Sequence, residues 1–153
     1  MGRPVADFAV AIDAPIEAVW AVMIDFSRYG EWNPFVVGIS PRAPGPLRVG
    51  SELVLDVRWA DGRAVRTVEI VTRLDAPTAG AAAMAYRYTG WLPRLHLVEG
   101  SRVQTLEQAG EGRSVYRTVE AFGGLLARAV PLAKVQDGFE RHGRALKSWV
   151  EGA

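Results

Sequence analysis

Apolar and polar residues follow two different rhythms along this chain, and the changes of rhythm divide it into elements. Phe8 to Ile12 reads as a short first strand. Directly after it, Ile16, Val19, Trp20, Met23 and Ile24 recur at three- and four-residue spacing, which places them on one side of a helix. Pro15 suits the first helical position, and Glu17 puts a carboxylate in the first turn, where the helix dipole favours it. Asp25 and Ser27 offer caps for a second short helix over Phe26 to Tyr29, ended by Gly30. Phe35, Val36, Val37 and Ile39 predict a second strand. Pro41, Pro44 and Pro46 exclude regular structure in the loop beyond it.

From Leu53 the period is two. Leu53, Leu55, Val57 and Trp59 alternate with charged positions and share one buried face, with Val54 as the exception. Asp61-Gly62 is a hairpin turn, and Ala64 to Leu74 returns as a strand carrying Val65, Val68, Ile70 and Val71. Pro77 to Gly80 breaks the chain. Ala81 to Thr89 is a fifth strand with Met84, Tyr86 and Tyr88 on one face; Leu95 to Glu107 is a longer extended segment with a break expected at Gly100. After the Gly110 and Gly112 turn, Ser114 to Phe122 forms a last strand with Tyr116, Thr118, Glu120 and Phe122 on one side. The helical period then returns. Leu132, Val135, Phe139, Leu146, Trp149 and Val150 make the apolar stripe of a long helix starting near Pro131, with Glu140–Arg144 and Lys147–Glu151 pairs on its outer face.

The bulk numbers leave this picture intact. A chain of 153 residues, 49% hydrophobic and 23% charged, buries a core of its own and is expected to be one domain over 1–153. Eighteen Lys and Arg against seventeen Asp and Glu give a net charge of +1, so no basic excess points to nucleic acid. Asp61, Arg63, Arg66, Glu69 and Arg73 alternate in sign and read as a solvated surface. The chain has no cysteine, which excludes thiolate chemistry and fits a reducing compartment. No apolar run approaches the roughly 20 residues that span a bilayer, and the first residues lack a signal-peptide core, so a cytoplasmic protein is expected. Monomer and dimer both stay open.

The layout of strand, one or two helices, six strands and a closing helix resembles the helix-grip superfamily, also written SRPBCC. That group includes START lipid-transfer domains, the birch-pollen allergen type and polyketide cyclases. Ala14-Pro15-Ile16-Glu17-Ala18-Val19-Trp20 is similar to its opening helix motif. The run from Asp25 through Trp32-Asn33-Pro34 to Phe35, and the Glu120-Ala121-Phe122-Gly123-Gly124-Leu125 junction, are similar to a bacterial branch, and Phe139 through Glu151 matches the closing helix. The resemblance covers essentially the whole chain. It implies an α+β fold in which a curved antiparallel sheet of about seven strands wraps around the C-terminal helix, with a ligand cavity between them. It carries fold and not activity.

Candidate residues follow from both readings. The inward strand faces offer Trp59, Tyr86, Tyr88, Tyr116 and Phe122 as cavity walls, and Phe139 faces them from the closing helix. Gly138 and Gly143 lie in that helix, where small residues leave room either for a guest or for close packing. Glu120 shares a face with Tyr116 and Phe122, so it is either a buried acid or base with a raised pKa, or a structural acid paired with an arginine or with a helix N-terminus. His142 lies beside the apolar stripe, as a cavity-facing acid or base or as a satisfied boundary residue. Trp32, with Asp25 and Asn33, either rims the cavity mouth or plugs the core. Trp91 sits with Leu92, Pro93 and Leu95 in a loop that is either a lid or tucked on the core. His96 and His142 stand too far apart for a metal site, and no Gly-x-Ser-x-Gly elbow or phosphate loop occurs, so no metal or other cofactor is expected.

Three functions remain in order of expectation. The first is binding or transport of a small hydrophobic molecule such as a lipid, polyketide or aromatic metabolite. The second is a cyclase- or dehydratase-type enzyme in which Glu120, with Tyr116 or His142, moves protons. The third is a partner-binding domain of the chaperone-cofactor kind, docking through its outer sheet face and Trp91 loop over a collapsed cavity.

Overall fold

The computed structural model describes residues 2–152; Met1 and Ala153, the ends of the expected 1–153 span, lie outside them. Seven strands are present: β1 (Val5–Ile12), β2 (Val36–Pro41), β3 (Glu52–Arg58), β4 (Ala64–Thr78), β5 (Ala81–Tyr88), β6 (Glu99–Gln108) and β7 (Ser114–Gly123). They form one antiparallel, curved sheet in the order β1-β7-β6-β5-β4-β3-β2. Strands β2 to β7 neighbour one another in chain order, while β1 closes on β7 along eight aligned residue pairs. The two helices α1 (Ile16–Ile24) and α2 (Tyr29–Trp32) carry the chain from one sheet edge to the other. A helical turn, α3 (Trp91–Arg94), precedes β6, and the long helix α4 (Leu132–Glu151) lies on the concave face. This is the helix-grip arrangement.

Burial along α4 follows its period. Val135, Phe139, His142, Leu146 and Val150 are buried at spacings of three and four, with Gly138 and Gly143 between them. The glycines serve close packing. A Cβ on Gly138 would stand 2.2 Å from Cε1 of Phe35, and one on Gly143 would stand 2.6 Å from Cε1 of Phe8. The helix backbone therefore presses directly on two aromatic rings.

Several boundaries differ from the sequence reading. Strand β1 begins at Val5, three residues before Phe8. Strand β4 runs through Pro77 to Thr78, because the register shifts between Asp75 and Thr78 and Pro77 falls in that bulge, where its missing N–H costs no ladder bond. The turn itself is Ala79-Gly80, both at positive φ. Because α3 occupies Trp91–Arg94, β6 starts at Glu99 and not at Leu95. Asp25 and Ser27 bond each other (2.6 Å) instead of capping a helix. Lys147 pairs with Glu151 at 2.6 Å, whereas Glu140 accepts from Gln136 and Arg144 covers the Phe8 ring.

Candidate functional site

Strands β4 to β7 each turn one row of side chains toward α4. Period two carries Thr67 and Glu69 inward on β4, Tyr86 on β5, Arg102 and Gln104 on β6, and Tyr116, Thr118 and Glu120 on β7. The pairing register sets Glu69 opposite Tyr88, and Arg102 between Tyr86 and Glu120. A polar cluster is thereby folded into the middle of the core.

Arg102 is its centre, and only 3% exposed. Its Nε donates to Thr118 Oγ1 (2.9 Å), Nη1 to Tyr86 Oη (3.4 Å), and Nη2 to Tyr116 Oη (3.4 Å) and His142 Nδ1 (3.2 Å). Its guanidinium carbon lies 4.3 Å from the centroid of the Phe139 ring. Gln104 locks the two tyrosines in place: Tyr116 Oη donates to its Oε1 (2.6 Å), and its Nε2 donates to Tyr86 Oη (3.3 Å). Each of these hydrogen-bond partners of Arg102 is a neutral group. Among the described residues, no carboxylate reaches ion-pair distance of it.

His142 stands behind this cluster. Asn33 Nδ2 and Arg102 Nη2 both approach its Nδ1 at 3.2 Å, and both are donors only, so Nδ1 accepts and the proton belongs on Nε2. Burial, then the Arg102 charge, push its pKa well below the ordinary value and keep the ring neutral. The ring stacks on Tyr116 and meets the edges of Trp32 and Tyr29. Asn33 Oδ1 in turn accepts from the N–H groups of Phe35 and Val36, closing the turn around Pro34.

Two adjoining spaces open in front of the cluster. The inner cavity holds about 90 Å³ and is walled by Glu69, Tyr86, Arg102, Glu120 and Phe139, among apolar neighbours from β3. The outer pocket holds about 560 Å³ and is walled mainly by apolar and aromatic groups, among them Trp91, Leu92, Phe122 and Val130. Trp59, Thr67, Tyr88 and Val135 line both spaces and mark the boundary they share, here called the neck.

The inner cavity holds two carboxyl groups in unusual states. Glu69 and Glu120 are 4% and 3% exposed. Burial pushes the Glu69 pKa up to about 7, against a bond from Thr67 Oγ1 (3.1 Å) and the pull of Arg102. Burial and then Glu69 push Glu120 up to about 8. No hydrogen bond reaches the Glu120 carboxyl from the described residues. At neutral pH Glu120 is mostly protonated and Glu69 is divided between its two forms. One is a proton donor and the other a poised base.

The structure separates the sequence candidates into groups. Tyr86, Glu120 and Phe139 line the inner cavity, Trp59 and Tyr88 line both spaces, and Phe122 and Trp91 line the outer pocket, with Trp91 66% exposed. Trp32, Tyr116 and His142 line neither. Gln104 and Arg102 reach Tyr116 and His142 from the sheet side, and Trp32 packs on Tyr29 and His142 at the back of the core. Trp59 lies one residue past β3, at the hairpin turn, where its N–H bonds Arg63.

Two charged residues escaped the sequence reading, and Gln104 with them. Glu69 counted as part of a solvated charged surface, yet it is buried while Arg63, Arg66 and Arg73 around it are exposed. Period two counted back from buried Val71 would have turned it inward. Arg102 carried no apolar alternation to mark its face, since its inward neighbours are Gly100 and Gln104. The polar inward row Tyr116, Thr118 and Glu120 was the available clue, because such a row requires polar partners on the adjacent strand.

Residues 5–151 match the model of the family described as polyketide cyclase / dehydrase and lipid transport. The chain belongs to that family. No curated protein matches the chain. Among solved structures, this family member is similar to the ZhuI aromatase/cyclase from Streptomyces sp. R1128, at 18% identity and a TM-score of 0.76, over 96% of this chain and 93% of that one. A START superfamily protein from Mycobacterium smegmatis shares 20% identity at a TM-score of 0.71, over 97% of each chain. Norcoclaurine synthase from Thalictrum flavum, solved with dopamine and hydroxybenzaldehyde, shares 12% identity at a TM-score of 0.71, over 97% of this chain and 86% of that one. At these identities the likeness is one of fold. Among the described residues, no helix of this cyclase/lipid-transport family member is long and apolar enough to cross a membrane.

Proposed function

We propose that this protein binds a small, largely apolar molecule with one polar end, as a carrier or sequestering module. The observation that carries the reading is the neck: an apolar outer pocket of about 560 Å³ adjoins an inner cavity of about 90 Å³ that holds Arg102, Glu69 and Glu120. The outer volume lies within the roughly 300–1,000 Å³ typical of small-molecule sites, while the inner one admits only a ligand's polar end. Partner binding over a collapsed interior fits this geometry less well. The proposal includes a cytoplasmic setting, to which a chain without cysteine is suited.

A neutral fluorescent probe such as N-phenylnaphthylamine is expected to bind with enhanced emission. Val135→Phe, which places a ring in the neck, is expected to weaken probe binding at least about tenfold, a loss of about 1.4 kcal/mol. Its circular dichroism should match the parent protein. Unchanged binding by the folded variant would refute the site.

One further observation favours a second reading, cyclase- or dehydratase-like catalysis. Two carboxyl groups held near pKa 7 and 8 in one cavity suit paired proton transfer. Glu120 would donate to a carbonyl oxygen while ionised Glu69 takes a proton from the adjacent carbon, leaving an enol ready to close a ring or expel water. The similarity to an aromatase/cyclase supports this role. Wild-type protein is expected to speed deuterium exchange at the α-carbon of an aryl ketone such as propiophenone, followed by NMR. Glu69→Gln should abolish that acceleration with probe binding intact; persistence of the acceleration removes Glu69 from the chemistry.

A further inference from the structure

Among the described residues, Arg102 is a buried cation without a counter-ion. Buried charges in proteins are normally paired, because an isolated one forfeits its hydration with nothing to replace it. Here the guanidinium rests on the Phe139 ring and donates to Thr118, Tyr86, Tyr116 and His142, all of them neutral. The two nearby acids, Glu69 and Glu120, stand beyond ion-pair distance although they share the same cavity wall. The missing partner of Arg102 therefore has a place to sit, and that place opens toward an apolar pocket.

We infer that the inner cavity receives the carboxylate of an amphiphilic monocarboxylic acid, paired to Arg102, with the apolar body of that acid in the outer pocket. The inference rests on the ligand-binding reading above and names its ligand class. Four of the five guanidinium N–H groups already donate within the cluster, so the carboxylate would meet the remaining one on Nη1 and the undiminished positive charge. Glu120 and Glu69, when protonated, add O–H donors to the same anion. The site is then neutral overall, one cation against one anion.

The same geometry makes binding proton-linked. The groups facing the anion are Glu69 from β4, Tyr86 and Tyr88 from β5, Arg102 from β6 and Glu120 from β7, with Tyr116 from β7 and His142 from α4 behind, each bonded to Arg102. Burial holds all three tyrosines above their ordinary pKa and His142 below its own, so all four stay neutral from pH 6 to pH 9. Only the two glutamic acids change charge in that range, and both become repulsive as they ionise.

The test is displacement of the neutral probe by decanoic acid and by its methyl ester, at pH 6 and pH 9. The acid should bind at least about tenfold more tightly than the ester at pH 6, the scale of one charge-assisted hydrogen bond, and lose that advantage at pH 9. Arg102→Gln should weaken the acid far more than the ester, so that the acid's advantage disappears. Should Arg102→Gln fail to fold, the double variant Glu69→Gln, Glu120→Gln provides the second arm: its affinity for the acid should be the same at both pH values. An ester that binds as well as the acid, or an affinity for the acid that is constant with pH in the wild type, overturns the inference while the pocket stands. Failure of the neutral probe itself to bind overturns the pocket and the inference with it.

Discussion

Raising the pH from 5 to 9 is expected to destabilise the ligand-free protein, and the double variant Glu69→Gln, Glu120→Gln to lose most of that sensitivity. Both carboxyls have folded-state pKa values raised from the ordinary 4.5, to about 7 and about 8. The folded protein therefore keeps protons that the unfolded chain releases. The stability these groups contribute is fully present below pH 4.5 and is lost as the pH climbs through 7 and 8. A tenfold difference in proton affinity between folded and unfolded chains is worth about 1.4 kcal/mol, so the loss from pH 5 to 9 is on the order of 7 kcal/mol, comparable with the whole stability of a small domain. His142 acts in the opposite sense. Its depressed pKa gives stability that is present above 6.5 and falls away at lower pH. Comparing wild type with the double variant cancels that contribution, because both keep His142. Urea melts at five pH values would measure it, and parallel curves for the two proteins would show that the carboxyls are not buried as described.

Gly138→Ala is expected to destabilise the protein by about 2 kcal/mol, although alanine is the better helix former by about 1 kcal/mol. The new methyl would overlap the Phe35 ring, with Cβ 2.2 Å from Cε1, 2.4 Å from Cδ1 and 2.6 Å from Cζ. That ring is held by Phe139 at 6.0 Å and by Trp59 at 5.7 Å between centroids, so it cannot simply rotate away. Either α4 lifts from the sheet or the ring enters the inner cavity, which Phe35 also lines. The melting temperature should fall by roughly 4–8 °C, at about 2–4 °C per kcal/mol for a chain of this size. Smaller side chains at position 35 should reverse the effect. In a Phe35→Leu background, Gly138→Ala should cost much less, and this coupling separates the overlap from any general intolerance of the helix. Equal cost in both backgrounds would rule out the ring as the cause.

The amphipathic period of Val135, Phe139, Leu146 and Val150 and the alternation from Leu53 to Val57 specify helix and strand by local chemistry alone, and the structure follows both. Glu120 was legible for the same reason, since it repeats at period two with Tyr116 and Phe122. Boundaries were less so: Pro77 looks like a stop, and only the bulge between Asp75 and Thr78 allows the strand to pass through it.

Sequence by itself determined the order of elements, the face each turns to the core, and hence the curved sheet closed by a helix. Tertiary structure alone decided which polar residues meet. Glu69, Arg102, Glu120 and His142 come from three strands and a helix, and local periodicity carries no information about which strand lies next to which. Pairing register and the curl of the sheet bring Arg102 between Tyr86 and Glu120, yet beyond ion-pair distance of any carboxylate among the described residues. Burial there, rather than residue type, sets the charge each group carries.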